Sequence, residues 1–378
     1  MILVNNPGSW KYIYPPLDHA AWHGCTPTDL VFPFFLFAVG NAMAFTMPRL
    51  MEGGDAVMWK KVVKRTVLIF CIGLFLNAFP FVRYNAEGVL ELKAFQNLRI
   101  MGVLQRIALC YFFAAVLVYY LRPAGLFTVS MILLLLYWAM CLFWGGSDPY
   151  SLEGWFGTTI DKAVLGESHM YHGEGVAFDP EGLMSTIPAV VQVILGYWAG
   201  NFIILEKNTP GMEKQEPVQA AGGFYPLLTK LFVAGLLLIF IGLCWNIVFP
   251  INKKIWTSSF VIYTSGMAVV VLAMLIYFIE IKKWRGAWSH FFDVFGKNPL
   301  FIFVLSGIWV RLYGLVRIED GMKEGKPVYK GLGGWIYDHA FAPLFGNMNG
   351  SFLYAVFHIL IFWFIAWWLD KRKIYIKV

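Results

Sequence analysis

Nine stretches of apolar residues, separated by polar breaks, recur along the chain: 30–48, 66–82, 98–121, 124–144, 184–204, 227–249, 259–281, 290–313 and 351–370. Each approaches the roughly 20 residues that a helix needs to cross a bilayer. In lipid every backbone N–H and C=O must find its partner within the protein, so runs of this length predict helices. Residues 1–4 are apolar too but cannot span, and they predict the stump of a further helix lost through a trimmed start. The expected fold is all-α. It is a polytopic transmembrane helix bundle of about nine full spans plus that stump, with residues 1–378 forming one domain. The longest polar break, 145–183, is acidic and mixes Gly, Ser and Asp with aromatic residues. Breaks of this length are usually functional, and the composition predicts a folded cap over the bundle.

Composition sharpens the class. Hydrophobic residues make up 59% of the chain and charged residues 14%, against about 25% charged in soluble domains. A soluble fold is thereby excluded. The formal net charge of +7 is not spread evenly. Lys and Arg collect in alternate breaks: Arg49, Lys60, Lys61, Lys64 and Arg65; Arg122; Lys207, Lys214 and Lys230; Lys282, Lys283 and Arg285; then Lys371, Arg372, Lys373 and Lys377. By the positive-inside rule these breaks and the C-terminus are cytoplasmic, and 145–183 is outside. The basic residues cap helices and form no basic–aromatic groove, so the implied partner is the lipid bilayer and no nucleic acid is expected. The five cysteines show no CxxC or zinc spacing, and His169 with His172 lacks the context of a metal motif. No metal is expected.

The densest polar cluster near a span runs from Asn5 to Pro33 and holds Asp18, His19, His23 and Asp29. Histidine exchanges a proton near neutral pH. A carboxylate on one ring nitrogen fixes the tautomer and raises the basicity of the other. His19 with Asp18 or Asp29 could form such a dyad. The bland alternative is that the histidines are interfacial residues satisfied by backbone and water. Arg106 lies about two turns inside span 98–121, where a charge must face the bundle interior. It suits a phosphate or carboxylate, or a structural pair with Asp29 or Glu91. Lys297 and Asn298, with Lys282, Lys283 and Arg285, form a basic mouth able to attract an anionic cytoplasmic ligand. Topology alone would also produce it.

The stretch LVNNPGSW…LDHAAWHGCTPTDLVFPFFLFAVGNAM resembles the opening of the heparan-α-glucosaminide N-acetyltransferase family, including its bacterial relatives. The likeness continues in order through NLRIMGVLQRIALCY, FDPEGLMSTIPAVVQVILGYWAG, NKKIWTSSFVIYTSGMA and FGKNPLFIFVLS. It implies a transmembrane acyltransferase in a bacterial inner membrane. Acetyl-CoA is then the co-substrate on the cytoplasmic side, and an amino sugar is the acceptor on the other; a homodimer is compatible with it. The family's active histidine matches His19, its asparagine matches Asn5, and Asp29 matches the Asp before LVFP. On this reading Arg106, Lys297 and Asn298 would hold CoA or line its path. Asp179 and Glu181, in the outer loop, would attract a cationic acceptor. The rival readings are a sugar or anion transporter without chemistry and an O-acyltransferase of cell-envelope glycan.

Overall fold

The protein is described by a computed structural model that covers residues 1–85, 88–207, 217–323 and 326–376. Lys214 and Lys377 lie outside the described residues. Eleven main helices build the bundle: α1 (Val31–Glu52), α2 (Gly54–Ala78), α3 (Val103–Tyr120), α4 (Pro123–Trp144), α5 (Gly157–Leu165), α6 (Leu183–Lys207), α7 (Pro217–Asn246), α8 (Ser258–Ile276), α9 (Ala287–Lys297), α10 (Pro299–Leu315) and α11 (Asn347–Lys371). Among the described residues seven helices are long and apolar enough to cross a membrane, or eight if the bent pair α9–α10 counts as one span. The chain is an all-α polytopic membrane bundle.

Two of the expected spans differ from a straight apolar rod. Stretch 290–313 divides at Asn298, where α9 and α10 meet at 81°. Pro299 opens α10, and a proline there has no N–H to continue the preceding helix. Stretch 66–82 ends at Ala78 and begins far earlier, because α2 runs back through Lys60, Lys61, Lys64 and Arg65. Those four charges keep it out of the purely apolar set. The chain also forms two antiparallel hairpins that hydropathy does not reveal: β1 (Val82–Tyr84) with β2 (Leu90–Leu92), and β3 (Arg317–Lys323) with β4 (Lys326–Gly331). The hairpins meet where the Arg317 guanidinium lies 3.8 Å from the Tyr84 ring centre.

The core is central and apolar. Leu36 and Met43 of α1, Ala108 and Tyr111 of α3, Val193 of α6 and Val261 of α8 are all buried in one cluster. Lipid tails are as apolar as leucine, so close packing of small residues drives helix association in a membrane. Helices α1 and α6 use this device reciprocally. A Cβ on Gly40 would stand 1.8 Å from the Val193 carbonyl oxygen, and one on Gly196 would stand 2.0 Å from that of Phe37.

Segment 145–183 folds over one end of the bundle. Trp155, Phe156 and Phe178 pack there with Tyr137 and Cys141 of α4, and with Phe249 and Ile255 of the α7–α8 connection. The Tyr137 hydroxyl and the Trp155 indole N–H are both satisfied in this layer, the first by the Ile255 carbonyl and the second by the Tyr137 oxygen at 3.1 Å. This is the capped end, and it is where the starts of α1, α3, α6 and α8 converge.

Replacing Gly40 or Gly196 with valine is expected to destabilise the bundle by about 3 kcal/mol or more, because the clash is with backbone and cannot be relieved by a rotamer change. Gly314→Ala, where an added Cβ meets nothing within 4 Å, should leave thermal unfolding in detergent unchanged. Equal melting curves for all three variants would contradict the close-contact account.

Candidate active site

Local sequence builds the histidine site around Asp29. Pro27–Leu30 forms a short 3-10 turn leading into α1. Asp29, three residues after Thr26, accepts the Thr26 backbone N–H at 3.0 Å, as in a capping box. The same carboxylate oxygen lies 3.1 Å from the Thr26 hydroxyl and accepts the Ala20 N–H at 3.0 Å. The other oxygen lies 2.6 Å from His19 Nδ1. Asp29 is almost wholly buried, whereas 42% of the His19 side chain is exposed. A carboxylate can only accept, so this contact selects the tautomer with the proton on Nδ1, which in the neutral ring leaves the lone pair on Nε2. Asp29 is therefore the dyad partner. Asp18 instead accepts the His19 backbone N–H, at 2.8 Å.

A third group joins the dyad from a distant part of the chain. Lys253, in the α7–α8 connection, places Nζ 3.3 Å from Asp29 Oδ1 and 3.0 Å from His19 Nδ1. Burial pushes its ammonium below the ordinary lysine pKa, while Asp29 and then Glu181 pull it back up. Its neighbour Lys254 fastens the same loop from the other side. It donates to the Ala21 carbonyl at 2.9 Å and to Glu174 of the cap at 2.7 Å. The Gly24 N–H donates to the Ile251 carbonyl, and the Trp22 indole N–H to the Tyr150 carbonyl, both at 2.7 Å. His19 thus sits on a short loop tied at Ala21, Trp22 and Gly24, with its side chain partly exposed. The sequence reading missed Lys253. Its one signal was a Lys-Lys pair inside NKKIW, in a break that topology otherwise leaves poor in cations.

A polar cavity of about 410 Å³ lies between α2, α3 and α10. Asn5, Asn77, Arg99, Gln105, Ser306 and Arg311 supply its polar wall. The Gln105 side chain is buried, and its Nε2 has no hydrogen-bond partner. The structure brings Asn5 to this cavity, whereas His19 is not part of its wall. An apolar recess of about 330 Å³, lined by Ile2, Phe35, Gly296, Pro299 and Phe303, adjoins it and shares Phe303.

The remaining sequence candidates are placed differently from expectation. Arg106 is fully buried and is not part of the polar cavity's wall. It donates to the Gly182 carbonyl at 3.0 Å and to the Ser185 hydroxyl, and lies 5.1 Å from the Trp256 ring centre. It locks the start of α6 to α3, and neither Asp29 nor Glu91 is its partner. Asp179 and Glu181 do not face outward for a cationic ligand. Arg99 donates to both Asp179 oxygens, at 3.0 and 2.6 Å, and to Glu181 at 2.5 Å. Lys297 pairs with Asp370 at 2.8 Å. Asn298 donates to the Ile374 carbonyl at 3.0 Å and accepts the Ile376 N–H at 2.7 Å. Both residues thus anchor the C-terminal segment, because the break before α10 leaves their polar groups facing it.

Beneath the Arg99 pair lies another buried carboxylate. Asp161 of α5 accepts the Leu183 N–H at 2.9 Å through Oδ1, and its Oδ2 has no partner. Burial first, and then the Asp179 charge, push its carboxyl up to about 7, with the Leu183 N–H and Arg106 acting in the opposite direction.

No family model matches the chain. It is similar to the heparan-alpha-glucosaminide N-acetyltransferase of Mus musculus, with 27% identity over 356 residues, covering 80% of this chain and 50% of the mouse protein. The Homo sapiens protein of the same name is 27% identical over 354 residues, with the same coverage. The chain spans about half the length of these curated relatives. The family resemblance read from the sequence motifs is therefore matched by named relatives over most of the chain.

Because burial raises the Asp161 carboxyl to about 7, stability from the cap should be full below the ordinary carboxylate range, fall as pH rises from there to about 7, and level off above it. Thermal unfolding of the purified protein between pH 5 and 8 checks this. Asp161→Asn should flatten the profile, and an unchanged slope in that variant would remove Asp161 as its source.

Proposed function

We propose that this chain moves an acetyl group from acetyl-CoA to the amine of an amino sugar, with His19 as the reacting side chain. The observation that carries the reading is the imidazole itself. It is oriented through Nδ1 by a buried carboxylate, its side chain is 42% exposed, and among the described residues Nε2 has no hydrogen-bond partner. That is the arrangement a general base or a nucleophile requires. The named relatives are acetyltransferases on a glucosaminide, and their chemistry is what this histidine can serve.

The reaction forms an amide C–N bond and breaks the thioester C–S bond. In the direct route the amine attacks the thioester carbonyl while Nε2 takes the amine proton. The proton then passes to the departing thiolate, which leaves as free CoA thiol. In the stepwise route Nε2 attacks first and the thiolate leaves; the amine then attacks the acetyl-imidazole, the N–C bond to the ring breaks, and the amine proton passes by way of the released imidazole to the thiolate, giving free CoA thiol. Both routes need a donor for the developing oxyanion. The Asn5 side chain, at the cavity wall, is the proposed donor. Lys253 acts on Asp29 and through it on His19, and so is a positioning residue. Arg99 is part of the cavity wall and is held by Asp179 and Glu181, so the two carboxylates are proposed to set that wall in place of the direct acceptor contacts expected of them.

The capped end faces outside in this reading, and the basic end with the C-terminus faces the cytoplasm of a bacterial inner membrane. The apolar recess that starts at Gly296 and Pro299 and shares Phe303 with the polar cavity is the proposed route for the acyl-bearing arm of the donor. It takes the place of a path past Arg106, Lys297 and Asn298.

His19→Ala should cut amine-dependent thiol release from acetyl-CoA by about a hundredfold or more, and near-normal turnover would refute the assignment. Product analysis separates this reading from its rivals: an amide is expected, an ester would mean O-acylation, and transport without thiol release would mean a carrier. For Lys253→Met, kcat should fall about tenfold or more through misplacement of the imidazole, with the KM for acetyl-CoA unchanged and Lys253→Arg recovering much of the loss. A rise in KM alone would make Lys253 a binding residue instead.

A further inference from the structure

At the end of the bundle opposite the cap, α1, α2 and α3 enclose a pocket of about 380 Å³. Four cations line it: Arg49 from α1, and Lys61, Lys64 and Arg65 from α2. Thr46 and Tyr111 add polar groups, and no carboxylate is in the wall. Topology explains why cations gather at this end. It does not explain why four of them surround one pocket with no counter-charge in its wall. Some other cations at the basic end do have a carboxylate partner: Lys230 with Glu206 at 2.7 Å, Arg285 with Glu280 at 3.0 Å and Lys297 with Asp370 at 2.8 Å. Among the described residues none of the four pocket cations takes part in an ion pair within 4.0 Å. The carboxylate at the start of α2, Asp55, instead accepts the Tyr119 hydroxyl at 2.7 Å.

The pocket is also partly organised. The Arg65 guanidinium lies 4.8 Å from the Tyr111 ring centre, so α3 fixes its plane. Its Nε is buried and has no hydrogen-bond partner. A planar guanidinium held this way matches two oxygens of one tetrahedral anion, and lysines add point charges around it. Leu50 and Leu68 form the apolar side of the pocket, and Phe45 and Val67, the chain neighbours of Thr46 and Leu68, are exposed.

We propose that this pocket binds a phosphate group. The ligand is then either an anionic phospholipid, with its phosphate among Arg49, Lys61, Lys64 and Arg65 and its acyl chains along Phe45 and Val67, or a soluble phosphate compound. The site is separate from the His19 loop and does not depend on acetyl transfer.

The test uses the full chain in nanodiscs and the double variant Lys64→Gln/Arg65→Gln. Lys230→Gln, a cation paired elsewhere, is the control. Binding of phosphatidylglycerol, phosphatidylcholine and inorganic pyrophosphate is measured by native mass spectrometry, with thermal unfolding as the check on folding. The wild type should retain phosphatidylglycerol or pyrophosphate over phosphatidylcholine, and the double variant should lose about tenfold of that retention. Selective retention of phosphatidylglycerol identifies a lipid site, and retention of pyrophosphate alone identifies a soluble ligand. Equal retention by wild type and a folded double variant, or no preference over phosphatidylcholine, would overturn the proposal.

Discussion

The buried carboxylate of Asp29 is the point on which the capped end depends. One side chain accepts from the Thr26 and Ala20 backbones, orients the His19 ring and meets Lys253. It does so at the entry to α1, where a helix start leaves backbone donors unsatisfied and favours a negative charge. Taking a carboxylate from water is costly unless it is paired and hydrogen-bonded. Asp29 meets that condition only when the loop 19–26 and the α7–α8 connection are both in place. The same contacts that make burial tolerable therefore assemble the dyad. An imidazole that would otherwise swing freely on an exposed loop is held in one tautomer and one direction.

Around that point the bundle supplies rigidity. Helices α1 and α6 touch backbone to backbone at Gly40 and Gly196, which fixes the end of α1 that carries Asp29. Arg106 ties the starts of α3 and α6 together from inside, and the Trp256 ring contacts both that guanidinium and, edge to face, the Phe32 ring of α1. Arg106 is thus part of the frame of the site, although it touches neither the imidazole nor the cavity. The cap adds Asp179 and Glu181, whose joint hold on Arg99 keeps that cation at the cavity edge.

The helices were legible because their signal is local: about twenty apolar residues in a row can do little else in a bilayer. The bend in 290–313 was legible too, in Asn298-Pro299, but hydropathy averages over it. The two hairpins escaped because β1 and β2 are only three residues each, and β3–β4 is rich in charge. In the site, His19 and Asp29 are ten residues apart and share one motif, so sequence could offer them together. Lys253 is separated from His19 by 234 positions, and only the packing of α8 against α1 brings the two into contact. Arg99 was hidden by a boundary. Hydropathy ran the span from 98, whereas α3 begins at Val103 after Gly102, which leaves Arg99 in a loop where it can reach Asp179. Arg106, Lys297 and Asn298 were read as ligand groups on charge and position alone. Their partners are protein atoms that the sequence does not place nearby.

The central claim is that an acetyl group crosses the bilayer at an imidazole poised between two compartments. Proteoliposomes with acceptor amine sealed on the capped side and acetyl-CoA supplied only on the basic side measure this directly. The account predicts N-acetylated amine accumulating on the capped side in step with free thiol on the basic side. Product formed only when donor and acceptor share one compartment, or thiol released with no acetylated amine, would contradict it.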